Sequence, residues 1–151
     1  MFNFFNLADK PEYIDEVVSW LHKEWGNEKN LNFWSSWVRS SLSKDNVPQT
    51  LIVLDENELV GTYSLWCCDL QSRQDLYPWL GGIVVKETRR GQGIGKEIQR
   101  HSLEQLHRLG FREAYLFTDM SGYYEKSGWE YLNDIPDEKG EMVRLYRKKI
   151  N

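Results

Sequence analysis

The chain is 151 residues long, which fits a single domain, and 40% of its residues are hydrophobic and 28% charged. This composition excludes a disordered or fibrous chain, and a formal net charge of -4 excludes the basic field of a protein that coats nucleic acid. No apolar run approaches the ~18 residues that cross a bilayer. The N-terminal sequence MFNFFNLADK lacks the basic and apolar regions of a secretory signal. We therefore expect a cytoplasmic domain over residues 1–151 that binds neither nucleic acid nor a membrane.

The first half of the chain predicts a strand, two helices and a β-hairpin. A short apolar strand is expected over 1–7, and the helical spacing of apolar residues from Ile14 to Trp25 predicts a first helix that stops at Gly26. A second amphipathic helix is expected over 31–42. The apolar segments 50–54 and 59–68 flank a polar turn, so they are predicted to form a hairpin.

Two adjacent cysteines, Cys67 and Cys68, end that hairpin. Neighbouring strand residues point to opposite faces, so a disulfide within the pair is excluded. One such pair without further cysteines does not make a zinc site. We expect reduced, half-buried strand residues, and no metal.

The second half predicts an α/β arrangement around a glycine-rich turn. After a polar loop over 69–76, the segment 77–85 is a nearly continuous apolar strand, which indicates cover on both faces, and its Gly81-Gly82 pair predicts a bulge. A helix is expected from about Gly93 to Gly110, then a strand over 114–117, a short helix over 123–127 and a hairpin of 129–132 with 142–146. A parallel pair joined by a crossover helix is the economical arrangement. We predict one α/β domain with a mixed sheet.

The glycine-rich turn suits a phosphate ligand. The first N–H groups of a helix have no internal partners, and the helix dipole adds partial positive charge beside the cations Arg89, Arg90 and Lys96. The Walker pattern fails because Arg90 and Glu97 stand where a glycine and a hydroxyl are needed. The dinucleotide fingerprint fails because Lys96 stands at its last glycine.

Three motifs in order resemble the GNAT family of acetyl-CoA-dependent N-acetyltransferases. They are Ile83-Val84-Val85, then Arg90-Gly91-Gln92-Gly93-Ile94-Gly95, then Tyr124-Glu125-Lys126-Ser127-Gly128-Trp129. The resemblance spans residues 59 to about 132. It implies a mixed sheet that splays between two central parallel strands, with acetyl-CoA in the gap as co-substrate, and it is compatible with a homodimer. The competing interpretation is a non-catalytic acyl-CoA-binding regulatory module.

The resemblance also implies roles for residues around that gap. The pyrophosphate of acetyl-CoA would lie on the backbone of Arg90, Gly91, Gln92, Gly93, Ile94, Gly95 and Lys96. The pantetheine arm would pair with Ile83, Val84 and Val85 like an added strand, and an N–H near Ile83 would bond the thioester oxygen. Tyr124 would protonate the leaving thiolate, since a phenol with a pKa near 10 can donate to a thiol with a pKa near 8.5. An asparagine common in the family is absent, so Thr118 or Asp119 would take its contact.

The acceptor side is less specific. The resemblance implies that the acceptor wall comes from the first two helices and the loop before the central strand. Aromatic and acidic residues in these regions suit a cationic amine; they are Trp25, Trp34, Trp37, Tyr77, Trp79, Glu24, Glu28 and Asp75. No nucleophilic cysteine or serine is evident, so a primary amine of a small molecule or a peptide N-terminus would attack acetyl-CoA directly. Asp69, Asp75 and Glu24 remain alternative bases. His101 and His107 are expected on the surface.

Overall fold

The computed structural model describes all residues, 1–151, as one seven-stranded sheet with three α-helices. The strands are β1 Phe2–Asn6, β2 Gln49–Asp55, β3 Glu58–Trp66, β4 Trp79–Val85, β5 Glu113–Thr118, β6 Glu130–Pro136 and β7 Met142–Lys149. The helices are α1 Ile14–Trp25, α2 Leu31–Arg39 and α3 Ile94–Arg108. Short 3-10 turns cover Leu7–Asp9, Pro11–Tyr13, Glu87–Arg89 and Glu125–Ser127. None of the helices combines the length and the apolar character that a membrane crossing needs.

The strand order confirms the predicted mixed sheet. It runs β1-β2-β3-β4-β5-β7-β6, so β7 lies between β5 and β6. Only β4 and β5 are parallel, and α3 connects them, as the crossover interpretation requires. All other neighbours pair antiparallel, including the hairpins β2–β3 and β6–β7.

Helices cover both faces of the sheet, so β4 is enclosed as its continuous apolar sequence predicts. On one face, Val17 and Leu21 of α1 pack with Val84 of β4. On the other face, Ile94 and Ile98 of α3 pack in the main core cluster. The side chains of β4 therefore alternate between the α1 side and the α3 side.

Two predicted helices are shorter than expected. Helix α2 ends at Arg39 instead of 42, since the Ser41 hydroxyl donates a hydrogen bond to the Trp37 carbonyl and Leu42 makes an isolated bridge to Gln49. The predicted helix over 123–127 is only the 3-10 turn Glu125–Ser127, which Gly128 ends at φ +86.

The strand position predicted for the two cysteines, the half-burial predicted for Cys67 and the surface position predicted for one histidine were wrong. Strand β3 ends at Trp66, so Cys67 and Cys68 lie in the following loop as free thiols, with Cys67 exposed. His101 is half-buried instead of a surface residue, because its ring stacks on Phe4 with centroids 4.0 Å apart and its Nδ1 lies 2.8 Å from the Tyr63 hydroxyl.

Candidate active site

A gap separates the two central parallel strands. Strands β4 and β5 pair only at Trp79 and Tyr115, where the Tyr115 N–H donates to the Pro78 carbonyl at 3.0 Å. Beyond that pair no ladder joins them, so the facing edges diverge toward the carboxyl ends of both strands. This is the splay that the family resemblance implied, and it leaves main-chain groups on both edges open to an extended ligand.

A β-bulge reshapes β4 beside the gap. Gly82 and Ile83 together oppose Tyr63, because the register passes from Thr62 opposite Val84 to Ser64 opposite Gly81. Gly82 has φ +60, and a Cβ there would lie 2.8 Å from the Trp66 ring. Only glycine meets both conditions, so the bulge predicted at the glycine pair is confirmed.

The glycine turn opens α3 with unpaired main-chain donors. Gly93 is the N-cap at φ +82 and supplies no side-chain cap. The first helical hydrogen bond runs from the Glu97 N–H to the Gly93 carbonyl at 3.0 Å, so the N–H groups of residues 94–96 have no partner within the helix. No atom lies within 4 Å of the Cβ positions of Gly91 and Gly93. The turn therefore presents its amides to open space.

The cations around this turn divide into two kinds. Arg89 forms ion pairs with Asp55 and Glu58 of the β2–β3 turn, so it fastens the β4–α3 connection and its charge is neutralised. Arg90 and Lys96 are exposed and form no ion pair. The free positive charge at the turn thus comes from two side chains instead of the three expected from sequence.

Tyr124 precedes the 3-10 turn that follows β5. Its ring packs against Trp129 and Tyr146, and its carbonyl accepts hydrogen bonds from the N–H groups of Ser127 and Trp129. Burial, with a smaller contribution from Tyr123, raises the pKa of Tyr124 to about 12. Its phenol is therefore protonated throughout the neutral pH range and can donate a proton.

Tyr123 is a residue that the sequence interpretation set aside. Its hydroxyl lies 3.3 Å from the Cβ position of Gly95, at the start of α3, and its ring stands edge-on to Tyr124 with centroids 4.9 Å apart. Of the two residues expected to replace the missing asparagine, Thr118 accepts a hydrogen bond from the Met120 N–H, and Asp119 is exposed. In the sequence, only its position next to Tyr124 could have indicated that Tyr123 lies near the site.

The predicted acceptor residues do not all reach one surface. Trp79 is fully buried and donates its indole N–H to the Leu76 carbonyl at 2.8 Å. Asp75 is exposed and bound to Arg73 through two hydrogen bonds of 2.9 and 2.8 Å. Glu24 is exposed at the end of α1, and Tyr77 contacts Phe111 with ring centroids 5.3 Å apart.

A row of aromatic rings forms a wall on the α1–α2 side of the sheet. It begins at Trp25 and Phe33, each about half exposed, and passes through Trp34 and Trp37 to Trp66 with centroid separations of 5.3 to 6.4 Å. The indole N–H groups of the last three are buried without an acceptor. No indole hydrogen bond fixes these three rings, which are held by packing against each other and against the buried core. Its inner end, Trp66, lies over the β4 bulge.

Asp69 lies at the same end of the row. A Cβ on Gly81 would be 2.6 Å from the Asp69 Oδ2 and 2.7 Å from the Trp66 ring. Burial first, and Glu138 second, raise the pKa of Asp69 to about 7. The next residue, Leu70, is fully buried and fixes the loop. Of the three carboxylates that sequence proposed as bases, this one lies against the bulge.

Comparison with known proteins agrees with this architecture. A family model described as an acetyltransferase (GNAT) domain matches residues 9–132, most of the chain. The chain belongs to the GNAT acetyltransferase family. It is accordingly an acyltransferase, and the family predicted from the three motifs is confirmed.

Solved structures share this GNAT fold at low sequence identity. An aminoglycoside 6'-acetyltransferase type Ii is 20% identical at a TM-score of 0.76, and an aminoglycoside 6'-N-acetyltransferase complexed with coenzyme A is 16% identical at 0.77. An aminoglycoside 6'-N-acetyltransferase from Enterococcus faecium is 17% identical at 0.76. Each alignment covers 100% of this chain and 97% of the other. Among curated protein sequences, none matches significantly.

Proposed function

We propose that this protein is an N-acetyltransferase that transfers the acetyl group of acetyl-CoA to a primary amine by direct attack in a ternary complex. The observation that carries the proposal is the gap between β4 and β5, with the glycine turn at one end of the crossover and the Tyr124 phenol in the segment after β5. A solved relative with the same fold holds coenzyme A, which supports an acyl-CoA co-substrate here.

The glycine turn and the β4 edge together suit the two ends of that co-substrate. The unpaired amides of residues 91–96 offer donors to a pyrophosphate, whereas the Arg90 N–H already donates to the Glu87 carbonyl at 3.4 Å. The side chains of Arg90 and Lys96 add full charge. No β5 residue pairs with β4 over Ile83, Val84 and Val85, so this edge offers main-chain groups to the amides of the pantetheine arm. The Val85 carbonyl accepts a long hydrogen bond of 3.4 Å from the Arg90 Nε, which an incoming amide would have to replace. Asp119 lies exposed just after β5, within the segment that leads to Tyr124.

The chemistry requires a donor for the leaving sulfur. As the amine nitrogen bonds to the acetyl carbon, charge develops on the carbonyl oxygen, and the Ile83 N–H at the bulge is the group that we assign to it. The C–S bond then breaks, and the Tyr124 phenol protonates the thiolate. The phenol carries the proton that this step needs, because its pKa of about 12 lies well above the pH of the reaction.

A thermal-shift and product assay tests the proposal. Acetyl-CoA at one hundred times its dissociation constant stabilises the folded state by about 2.7 kcal/mol, which for a chain of this size is a rise in Tm of roughly 5 to 10 °C. Acetylated product from a panel of amines is followed by mass spectrometry and CoA by chromatography, because the exposed Cys67 thiol would react with thiol reagents. Stabilisation without CoA release with any amine would indicate the binding module instead, and no stabilisation would refute both.

A further inference from the structure

The β4 bulge carries an anionic group that no cation neutralises. Asp69 takes part in no salt bridge, and the carboxylate of Glu138 in the β6–β7 turn disfavours a second negative charge beside it. A half-buried carboxylate in this setting is costly unless it meets a positive ligand or a proton. Asp75, six residues later in the same loop, already has Arg73 as its partner.

The Trp66 ring flanks the same point as the carboxylate. Both lie within 2.7 Å of the Cβ position of Gly81, so a side chain on that residue would occupy the space between them. The aromatic row continues from Trp66 through Trp37 to the exposed Phe33. An ammonium beside Asp69 would therefore meet a ring face or edge, and the carbon body attached to it would lie along aromatic side chains.

We propose that Asp69 and Trp66 form the ammonium subsite of the acceptor, and that Asp69 is the catalytic residue that takes the proton from the amine. The proposal rests on the proposed transferase function and adds its proton acceptor and its substrate class. The acceptor is a primary amine on an aromatic or apolar body.

Four proton transfers accompany the reaction. Asp69 takes one proton from the bound ammonium, which leaves a neutral amine whose lone pair attacks the acetyl carbon. Tyr124 gives its proton to the departing thiolate, and the amide nitrogen returns its surplus proton to the phenolate. Asp69 then releases its proton to water. The net products are the N-acetyl amide, CoA and one proton. Asp69 lies against Gly81, next to the Gly82–Ile83 bulge whose Ile83 N–H is assigned to the carbonyl oxygen.

A carboxyl titration tests the subsite without turnover. In protein labelled with 13C at aspartate carboxyls, the signal absent from Asp69→Asn is followed against pH, first alone and then with 2-phenylethylamine. We expect a midpoint near neutral pH that falls when the amine is added, because a bound cation favours the ionised carboxylate. The alcohol 2-phenylethanol, which has the same ring without charge, should leave the midpoint unchanged. A midpoint near 4, or equal effects of amine and alcohol, would overturn the proposal.

Kinetics then test the proton transfer. With acetyl-CoA and 2-phenylethylamine as substrates, Asp69→Asn should lower kcat/KM by 10²- to 10⁴-fold. The wild type should lose kcat/KM tenfold for each pH unit on the acid side of its profile, and Asp69→Asn should abolish that dependence. The matched control is Asp45→Asn, an exposed carboxylate in the loop before β2, which should change neither. Unchanged kinetics in Asp69→Asn refute the base but leave the transferase. Acetyl-CoA binding without turnover by the wild type, with the carboxyl shift intact, refutes the transferase but leaves the ammonium subsite.

Discussion

Replacing Asp69 by asparagine should stabilise the protein at alkaline pH, which is unusual for a change to a polar group that is half-buried. The pKa of this carboxyl rises from its ordinary value of 3.8 to about 7 on folding, mainly through burial. Between these two values the unfolded chain has lost the proton and the native chain keeps it. The native state therefore binds more protons, and the free energy of unfolding falls as pH rises through this interval.

The size of the effect follows from the two pKa values. A tenfold difference in ionisation constant is worth about 1.4 kcal/mol, so the full displacement from 3.8 to about 7 costs the wild type about 4 kcal/mol at pH 8. At pH 5 the cost is about 1.5 kcal/mol, since part of the titration has already occurred in the unfolded chain. The stability of Asp69→Asn relative to the wild type should therefore increase by about 2.5 kcal/mol between pH 5 and pH 8.

Urea unfolding followed by tryptophan fluorescence at the two pH values measures this change. All other carboxylates titrate in both proteins, so their contributions cancel in the comparison. Asp45→Asn, which removes an exposed carboxylate, should follow the wild type at both pH values. If the difference between Asp69→Asn and the wild type stays constant from pH 5 to pH 8, the carboxyl is not held away from water and the reasoning fails.

Three further outcomes are expected. Tyr124→Phe should lower kcat by 10²- to 10⁴-fold with little change in acetyl-CoA binding, and full turnover would show that the phenol is not the acid. Gly93→Ala, at φ +82, and Gly110→Ala, at φ +90, should each lower the free energy of unfolding by about 1–2 kcal/mol, because both positions have space for a methyl group but a left-handed backbone. Only Gly93→Ala should weaken acetyl-CoA binding, as measured by titration calorimetry. Equal weakening by both variants would show that the glycine turn does not bind the coenzyme. Phe33→Ala should raise the KM for 2-phenylethylamine, while Met142→Ala, equally exposed on β7, should not; an unchanged KM would remove the aromatic row from the acceptor site.

Structural features that depend on a few consecutive residues were predictable from sequence. Gly82, Gly91 and Gly93 adopt positive φ values, and the bulge and the helix start lie where those glycines stand. The enclosed strand β4 follows from its unbroken apolar sequence, because a strand with both faces covered has no need of polar residues. These features depend on residues that are adjacent in sequence, and the structure has them at the predicted positions.

Features set by distant partners were not predictable. The loop sequence gives Asp75 a nearby cation in Arg73, but nothing in it marks Asp69, which is set apart by the buried anchor at Leu70 and the approach of Gly81. Arg89 reads as a phosphate-binding cation beside the glycine turn, yet its partners come from the β2–β3 turn more than thirty residues earlier. Pairings of this kind depend on how the hairpin packs against the crossover.

The single residue pair between β4 and β5 forms a hinge in the sheet. It consists of two half-sheets, β1 to β4 and β5 with β7 and β6, joined by little more than one rung and by the helix that crosses between them. An extended ligand bound in the gap would connect the two half-sheets. Hydrogen exchange should therefore be fastest along the inner edges of the empty protein and should slow there first when the cleft is filled.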